Sequence, residues 1–302
     1  MAGLSLLALL DDITSVLDDV AVMSKVAAKK TAGVLGDDLA LNAQQVTGVS
    51  AEREIPVVWG VAKGSFKNKL IIVPSALILS AIAPWLIMPV LLIGGLYLCY
   101  EGAEKVLEKY LHHDDGDSKQ EELEEAAADI EEYEKKKIKG AIRTDFILSL
   151  EIIIIALGIV QGHPQLTQIA VVSFIAVIMT CGVYGLVAGI VKLDDLGFYL
   201  QRISGGKGWK QSIGNLLVLT APKLMKVLTV VGTVAMFLVG GGIIEHTIPA
   251  VHHFSDGIMA TVETVPVVGH VLPILITGIL GLVAGSILVG VFTVLGKLKS
   301  KK

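Results

Sequence analysis

The chain has few cysteines and none of the common enzyme motifs. Cys99 and Cys181 both lie inside apolar stretches, so we predict neither a disulfide framework nor a cysteine-based metal site. There is no GxSxG elbow, Walker loop, HExxH motif or Rossmann fingerprint. The glycine-rich stretch 205–208 lacks the spacing and the preceding strand of a phosphate-binding loop. We therefore expect a protein that is not an enzyme and that needs no cofactor.

Lysine and arginine are missing from three connections between apolar stretches, near Pro84, at 161–165 and at 245–266. The chain of 302 residues is 53% hydrophobic, with a mean hydropathy of +0.70. This apolar excess, concentrated in runs separated by charged stretches, is typical of a multi-pass membrane protein. The runs predict six membrane segments, at 70–83, 85–100, 146–160, 166–191, 227–244 and 267–295.

The basic residues orient these segments. Seven of the 25 precede the first segment, and eight lie in 101–145, six in 192–226 and four in 297–302. Because cytoplasmic loops retain positive charge, both termini are predicted to be cytoplasmic. The first ten residues lack the basic leader of a signal peptide, and a bacterial inner membrane is the expected location. Basic residues spread along membrane edges do not indicate nucleic-acid binding.

The region 1–69 is predicted to be cytoplasmic and helical. Apolar residues recur at helical spacing over 4–30 and form one stripe. Such a helix could lie on the membrane or pack on the bundle, and its mostly acidic polar face favours packing on protein. Gly33, Gly36 and Gly48 are expected to break the following stretch into short pieces.

The stretch 70–101 is predicted to form a short membrane hairpin that turns near Pro84. Its two arms are interrupted by Pro74 and Pro89, and the stretch is shorter than the roughly 40 residues that two full crossings require. One interpretation is a tilted pair of short helices, the first lengthened by 56–62. The other is a re-entrant, broken-helix element that lines a site.

The fold class expected from these features is an all-α polytopic membrane helix bundle. A charged cytoplasmic connection (102–145) would precede a bundle (146–296), which contains a cytoplasmic loop at 192–226 and an outer loop at 245–266. A basic tail (297–302) would follow. Glycines at 182, 185 and 189, and at 278, 281 and 285, have spacings suited to close helix contact. Assembly into a homo-oligomer is left open.

Five segments resemble a known family. LDDI at 10–13, KKTAGVLGDD at 29–38, PVVWGVAKG at 56–64, KGAIRTDFILS at 139–149 and FLVGGG at 237–242 are similar to sequences of the YedI-like family of bacterial inner-membrane proteins. The resemblance extends over nearly the whole chain. It implies a multi-pass inner-membrane protein of unknown function and carries no catalytic residues with it.

Glu151 is the first candidate for a functional residue. It lies inside the third predicted segment and is followed by four isoleucines. An acid at that depth is costly unless it is neutral, paired or in contact with water, so it is a candidate proton or cation site. The alternative is an acid near the cytoplasmic end that reaches Arg143 or water. Glu101, where the second segment ends, is predicted to help form a cytoplasmic mouth.

Two further groups of candidates come from the segment ends. Histidines on the predicted outer side, together with a nearby acid, offer ligands suited to zinc or another transition metal, although their spacing matches no specific motif; they are His246, His252, His253, His270 and Glu245. Charged residues at the predicted cytoplasmic interface are expected to anchor helices there; they are Arg143, Asp145, Lys192, Lys223 and Lys226.

Two functions are compatible with these features, and both place the chain in the lipid bilayer. The first is transport or conduction of a small ion or solute, with Glu151 as the binding residue. The second is a non-transporting scaffold or regulatory protein, in which the acids have structural partners. A lipid-modifying enzyme has the least support. A Glu151 that faces a hydrated cavity would favour transport, whereas a Glu151 salt-bridged in dry packing would favour the scaffold.

Overall fold

The computed structural model describes residues 2–46, 49, 53–111, 130–205, 207–262 and 266–299, and these residues form nine α-helices and no strand. The prediction of an all-α helix bundle is confirmed. A 3-10 turn at Pro84–Leu86 joins the second and third helices. The helices are α1 Ala2–Val46, α2 Glu54–Ile82, α3 Ile87–Leu111, α4 Ile130–Val160, α5 Gln165–Val191, α6 Leu193–Ser204, α7 Trp209–Thr247, α8 Pro249–Val262 and α9 Pro266–Lys299.

Five stretches of the described helices are long and apolar enough to cross a membrane, and they lie in α2, α3, α5, α7 and α9. Several of these helices expose large apolar side chains, including Ile71, Phe174 and Ile287. The sixth predicted segment, 146–160, lies on α4 and is strongly apolar but short. The 18 residues of α4 that end at Val160 already include three charged side chains, Arg143, Asp145 and Glu151. α4 lies in the interior of the bundle, where Ile152, Ile153 and Ala156 are fully buried.

The hairpin at 70–101 is longer than its apolar runs. α2 begins at Glu54, and α3 continues to Leu111, so the interpretation that adds residues 56–62 to the first arm agrees with the structure. The prediction that both prolines interrupt the arms is wrong. Pro74 lies inside a continuous α2, and Pro89 lies in the first turn of α3, where the missing N–H has no intrahelical partner to lose.

The N-terminal helix also departs from the prediction. α1 is one helix of 45 residues, and Gly33 and Gly36 lie within it without breaking it. Its second half packs among α4, α5 and α7, and Ala27, Leu41 and Ala43 are fully buried. Residues 27–46 are therefore part of the bundle core.

The apolar clusters give the direction of α1. Ala27 shares a cluster with Val171 near the start of α5, whereas Val46 shares one with Val191 at the end of α5. α1 is thus parallel to α5 and antiparallel to α2 and α4. At about 1.5 Å per residue, residues 27–46 extend roughly 29 Å, close to the thickness of a hydrocarbon core.

We call the end of the bundle that holds the α2–α3 and α4–α5 turns the turn end, and the end that holds Val46 and Val191 the basic end. α9 packs antiparallel on α7, with Gly281 against Phe237, and ends at the basic end. α1 begins beyond the turn end. The start of α1 at Ala2 and the end of α9 at Lys299 therefore lie toward opposite ends of the bundle. The predicted placement of both termini in the cytoplasm stays a prediction.

At the basic end an ion pair joins α2 to α4. The Arg53 guanidinium donates hydrogen bonds to both carboxylate oxygens of Glu134, at 2.9 and 2.7 Å. These bonds hold the pKa of Glu134 below its usual value. The contact secures the start of α2 against the first turns of α4.

Two glycine-rich helices behave differently. On α9, a Cβ added to Gly281 would lie 2.1 Å from the carbonyl oxygen of Phe237, and one added to Gly285 would lie 2.1 Å from that of Cys99. These positions allow backbones to approach closely, as predicted. On α5, a Cβ at Gly182, Gly185 or Gly189 would meet nothing within 4 Å, so the expectation of a close contact there is wrong for the single chain.

We predict that Gly281→Ala lowers the melting temperature of the purified protein, because the added methyl group must displace the backbone of α7. The control is Gly290→Ala on the same helix, where an added Cβ meets nothing within 4 Å. That change should leave stability unchanged or raise it, since glycine inside a helix costs about 0.5–1 kcal/mol relative to alanine. Equal melting temperatures for the two variants would contradict the α7–α9 packing.

A second prediction concerns the path of α1. In a cysteine-free background, Asp11→Cys and Lys207→Cys place exposed thiols beyond the two opposite ends of the bundle. A membrane-impermeant maleimide should label only one of them in intact cells and both after permeabilisation. Labelling of both from the same side would contradict the placement of α1.

Candidate functional site

A network of buried polar side chains joins four helices near the middle of α2. Its central members are Asn42 on α1, Lys69 on α2, Asp145 on α4 and Tyr184 on α5, and each is no more than 6% exposed. Burying a charge without a partner is costly. The contacts among these groups therefore determine whether the network is stable.

Lys69 and Asp145 form the ion pair at its centre. The Lys69 Nζ atom lies 3.8 Å from Asp145 Oδ1 and donates hydrogen bonds to the hydroxyl oxygens of Ser65 and Ser149, at 2.8 and 2.7 Å. Both serines in turn donate to the Asp145 carboxylate, at 2.9 and 3.3 Å. The two hydroxyl groups thus relay the interaction between ammonium and carboxylate.

Asp145 has further donors. Asn68 Nδ2 donates to Oδ2 at 3.2 Å, and the Tyr184 hydroxyl lies 2.8 Å from Oδ1. With two serines, an asparagine, a tyrosine and a lysine around it, the carboxylate has a partner for each lone pair. The prediction that Asp145 anchors α4 at the membrane interface is wrong, because this side chain is 2% exposed and points into the bundle.

Tyr184 links Asp145 to α1. Its hydroxyl oxygen lies 2.8 Å from Asn42 Oδ1 as well as 2.8 Å from Asp145 Oδ1. A phenol has one proton, so it can donate to only one of these two acceptors at a time. Asn42 Nδ2 donates to Asp38 Oδ1 at 2.7 Å. The buried Asp38 is the second carboxylate of the network.

Glu151 lies six residues from Asp145 along α4, less than two helical turns and about 9 Å further toward the turn end. Its Oε2 atom is buried and accepts no hydrogen bond from any described residue. The charged groups that act on it are Asp37 and Asp38 of α1. We call Asp37, Asp38 and Glu151 the acidic cluster. Among the described residues Glu151 therefore has no salt-bridge partner, and Arg143 instead donates to the Tyr97 hydroxyl at 3.3 Å.

Glu101 has a full set of partners. It accepts hydrogen bonds from Gln45 Nε2 at 3.0 Å and from Thr144 Oγ1 at 3.1 Å, and it pairs with Lys105 at 3.0 Å. These contacts join α1, α3 and α4 close to the basic end. Its predicted role at a cytoplasmic mouth stays a prediction.

The other predicted interface residues lie at the surface. Arg143, Lys223 and Lys226 are exposed, and Lys192 pairs with Asp195 at 2.5 Å next to the start of α6. Exposed charged side chains are suited to the anchoring role, which stays a prediction for these four residues.

The described histidines of the turn end lie near one another, but their side chains do not point toward a shared metal position. The rings of His246 and His252 stack at 6.1 Å, and those of His252 and His253 at 6.4 Å. Glu245 accepts hydrogen bonds from Ser255 and, at 2.8 Å, from Thr277. Among the described residues no group of three or more His, Cys, Asp or Glu side chains is placed to hold a metal ion. The side chain of His270 lies outside the described part of the chain, and the metal site stays a prediction.

Sequence reasoning missed Lys69, Asp38, Asn42 and Tyr184. Lys69 directly precedes an apolar run, so it was assigned to the cytoplasmic flank, and Asp38 was one of several Asp-Asp pairs. One signal was present. Polar residues four apart share a helix face, and three such pairs supply the network: Asp38 with Asn42, Ser65 with Lys69, and Asp145 with Ser149.

Comparison with known proteins gives a family match. The model of a family described as a protein of unknown function, DUF808, matches residues 4–291. No curated protein and no solved structure matches the chain. The family match agrees with the resemblance drawn from the five sequence segments.

We predict that Lys69→Met destabilises the protein by about 3–5 kcal/mol, because it leaves a buried carboxylate without its cation. The measurement is thermal or denaturant unfolding of the purified protein. Lys67→Met, an exposed position on the same helix, serves as the control and should change little. Adding Asp145→Asn to Lys69→Met should restore part of the loss, and strictly additive effects would show that the two side chains are not coupled.

Proposed function

Because the chain belongs to the DUF808 family, whose description assigns no activity, we propose a function from its buried polar groups: the protein transports or conducts a small ion or solute across a membrane, without enzymatic chemistry. The observation that carries the proposal is the buried carboxylate oxygen of Glu151, which has no hydrogen-bond partner among the described residues and lies in an interior helix. Ionisable groups at membrane depth are rare and usually belong to ion or proton pathways.

The arrangement of charges supports this function. Asp145 has Lys69 and four hydrogen-bond donors as partners, so it needs nothing more for stability. The acidic cluster carries up to three negative charges, and its described polar contact is the amide of Asn42 on Asp38. A purely structural network would not leave Glu151 uncompensated, whereas a binding site requires a group with free capacity.

An open face of α1 offers access to the cluster. Gly33 and Gly36 are exposed, and a Cβ added to either would meet nothing within 4 Å. They lie one turn or less from the partly buried Asp37. Lys29 and Lys30 are also exposed on α1, closer to the turn end and near the level where α5 begins. Charged side chains are expensive in contact with lipid, so this face requires water or another protein.

The alternative function is a non-transporting scaffold or regulatory protein. It is supported by apolar side chains that α6 and the start of α7 leave exposed, among them Phe198, Tyr199 and Trp209. Exposed apolar patches of this kind occur at sites that bind partners or membrane surfaces.

The proposed location is the inner membrane of a bacterium, with the basic end of the bundle in the cytoplasm. Lys105 near the end of α3, Lys139 in the first half of α4 and Lys207 between α6 and α7 lie toward this end. The positive-inside rule therefore supports this orientation. Lys25, Lys29 and Lys30 lie toward the turn end because α1 crosses the bundle, and they form a minority of the basic residues.

The test is flux in proteoliposomes across a panel of protons, monovalent and divalent cations, and common anions. The wild type should move at least one of these ions faster than empty liposomes, and Glu151→Gln should reduce that flux to background because it removes the free carboxylate. Glu131→Gln, the same change at the exposed start of α4, is the control and should leave flux intact. Flux that survives in Glu151→Gln would remove this residue from the pathway.

A further inference from the structure

The ligands that the acidic cluster offers are compatible with a proton and not with a hard divalent metal ion. A hard metal ion such as Ca²⁺ takes six to eight oxygen ligands at about 2.3–2.6 Å, and Mg²⁺ requires near-octahedral geometry. Within the described residues no three His, Cys, Asp or Glu side chains are placed to hold a metal. A proton needs only one oxygen, and Glu151 Oε2 is a buried oxygen without a partner.

We propose that Glu151 is a proton-binding residue and that Asp37 delivers protons to it from the open face of α1. This inference deepens the transport function proposed above and rests on it for its physiological role, whereas proton binding itself is a separate equilibrium property. The ion is then the proton, either as the transported species or as the coupling ion.

The described charged residues around Glu151 are acidic or already paired, and this arrangement favours the protonated form of Glu151. From α1, Asp37 and Asp38, both acidic, act on it electrostatically. α5 contributes no charged residue over its length, and its Tyr184 is engaged by Asn42 and Asp145. On α2, Lys69 is held by Ser65, Ser149 and Asp145. On α4, the charge of Asp145 is balanced by its ion pair with Lys69. No described cation contacts Glu151, so a bound proton is the simplest way to remove its charge.

Asp37 is placed to exchange that proton. Adjacent residues on a helix point about 100° apart, and here Asp38 is buried in the network while Asp37 is partly exposed. Asp37 lies beside Gly36, where there is open space, and it is also within electrostatic range of Glu151. Asp37 is therefore the partly exposed acid of the cluster, and on that ground we assign it the proton exchange with Glu151.

The proposal predicts a protonated carboxyl group at neutral pH. Infrared difference spectroscopy of the full-length protein in liposomes should show the C=O stretching band of a carboxylic acid that Glu151→Gln removes and Glu131→Gln retains. Glu151→Gln has nearly the same shape as the protonated side chain and cannot ionise, so it should fold. If the wild type lacks the band, or Glu151→Gln keeps it, the proposal is overturned.

A second variant tests the neighbours. Asp38→Asn removes a negative charge close to Glu151, so the band should disappear at a lower pH than in the wild type. Asp37→Asn should keep the band but slow its hydrogen–deuterium exchange, a kinetic effect that a purely structural role would not produce. An unchanged titration in Asp38→Asn together with unchanged exchange in Asp37→Asn would overturn the assigned roles.

The two proposals can fail separately. A band that depends on Glu151, with no flux of any ion in the panel, would sustain proton binding and reject transport. Flux of another ion that is insensitive to a pH gradient, in a protein without the band, would sustain transport and reject the proton assignment.

Discussion

The buried contact between Lys69 and Asp145 holds together parts of the chain that are far apart in sequence. Ser65 and Ser149 surround the pair, and Tyr184 and Asn42 extend it to α5 and α1. Removing two charges from water is costly, and mutual attraction offsets that cost only when the remaining hydrogen-bonding capacity is also satisfied. This requirement sets the depth and rotation of four helices relative to one another. It also explains why a polar helix such as α1 can lie in the core of an otherwise apolar bundle.

Because Asp145 has a full set of polar partners, the lack of described partners at Glu151 is stronger evidence for a binding role. Two acids on the same helix, six residues apart, have opposite environments: one has five partners, and the other has a buried oxygen with none among the described residues. Evidence of function therefore lies in the contrast between neighbouring groups. The Lys69–Asp145 network stabilises the helices, and the neighbouring Glu151 carboxyl group still has an oxygen available for a ligand. Such an arrangement is suited to binding and releasing an ion without disturbing the fold.

Much of the fold could be predicted from local sequence. The apolar runs of α5, α7 and α9 reappear as long helices, and glycines at 281 and 285 pack against neighbouring backbones. The errors share a cause. Gly33, Gly36 and Pro74 were expected to interrupt helices on intrinsic preference, yet tertiary packing of α1 and α2 outweighs a penalty of about 1 kcal/mol for a glycine or about 3 kcal/mol for a proline. Glu151 could be identified because an acid within isoleucines is anomalous by itself, whereas Lys69 beside a membrane edge is ordinary.

The sequence alone determined the helical class, the membrane character and the suspicion attached to Glu151, because hydropathy and segment length are local properties that partition a chain into lipid. Only the tertiary structure decided that α1 crosses the bundle, that Asp145 points inward to Lys69, and that Asp37 and Asp38 come within electrostatic range of Glu151. These facts depend on the relative rotation and depth of helices separated by many residues. Packing and the pairing of buried charges determine the relative rotation and depth of the helices, which cannot be predicted from any one segment of the sequence.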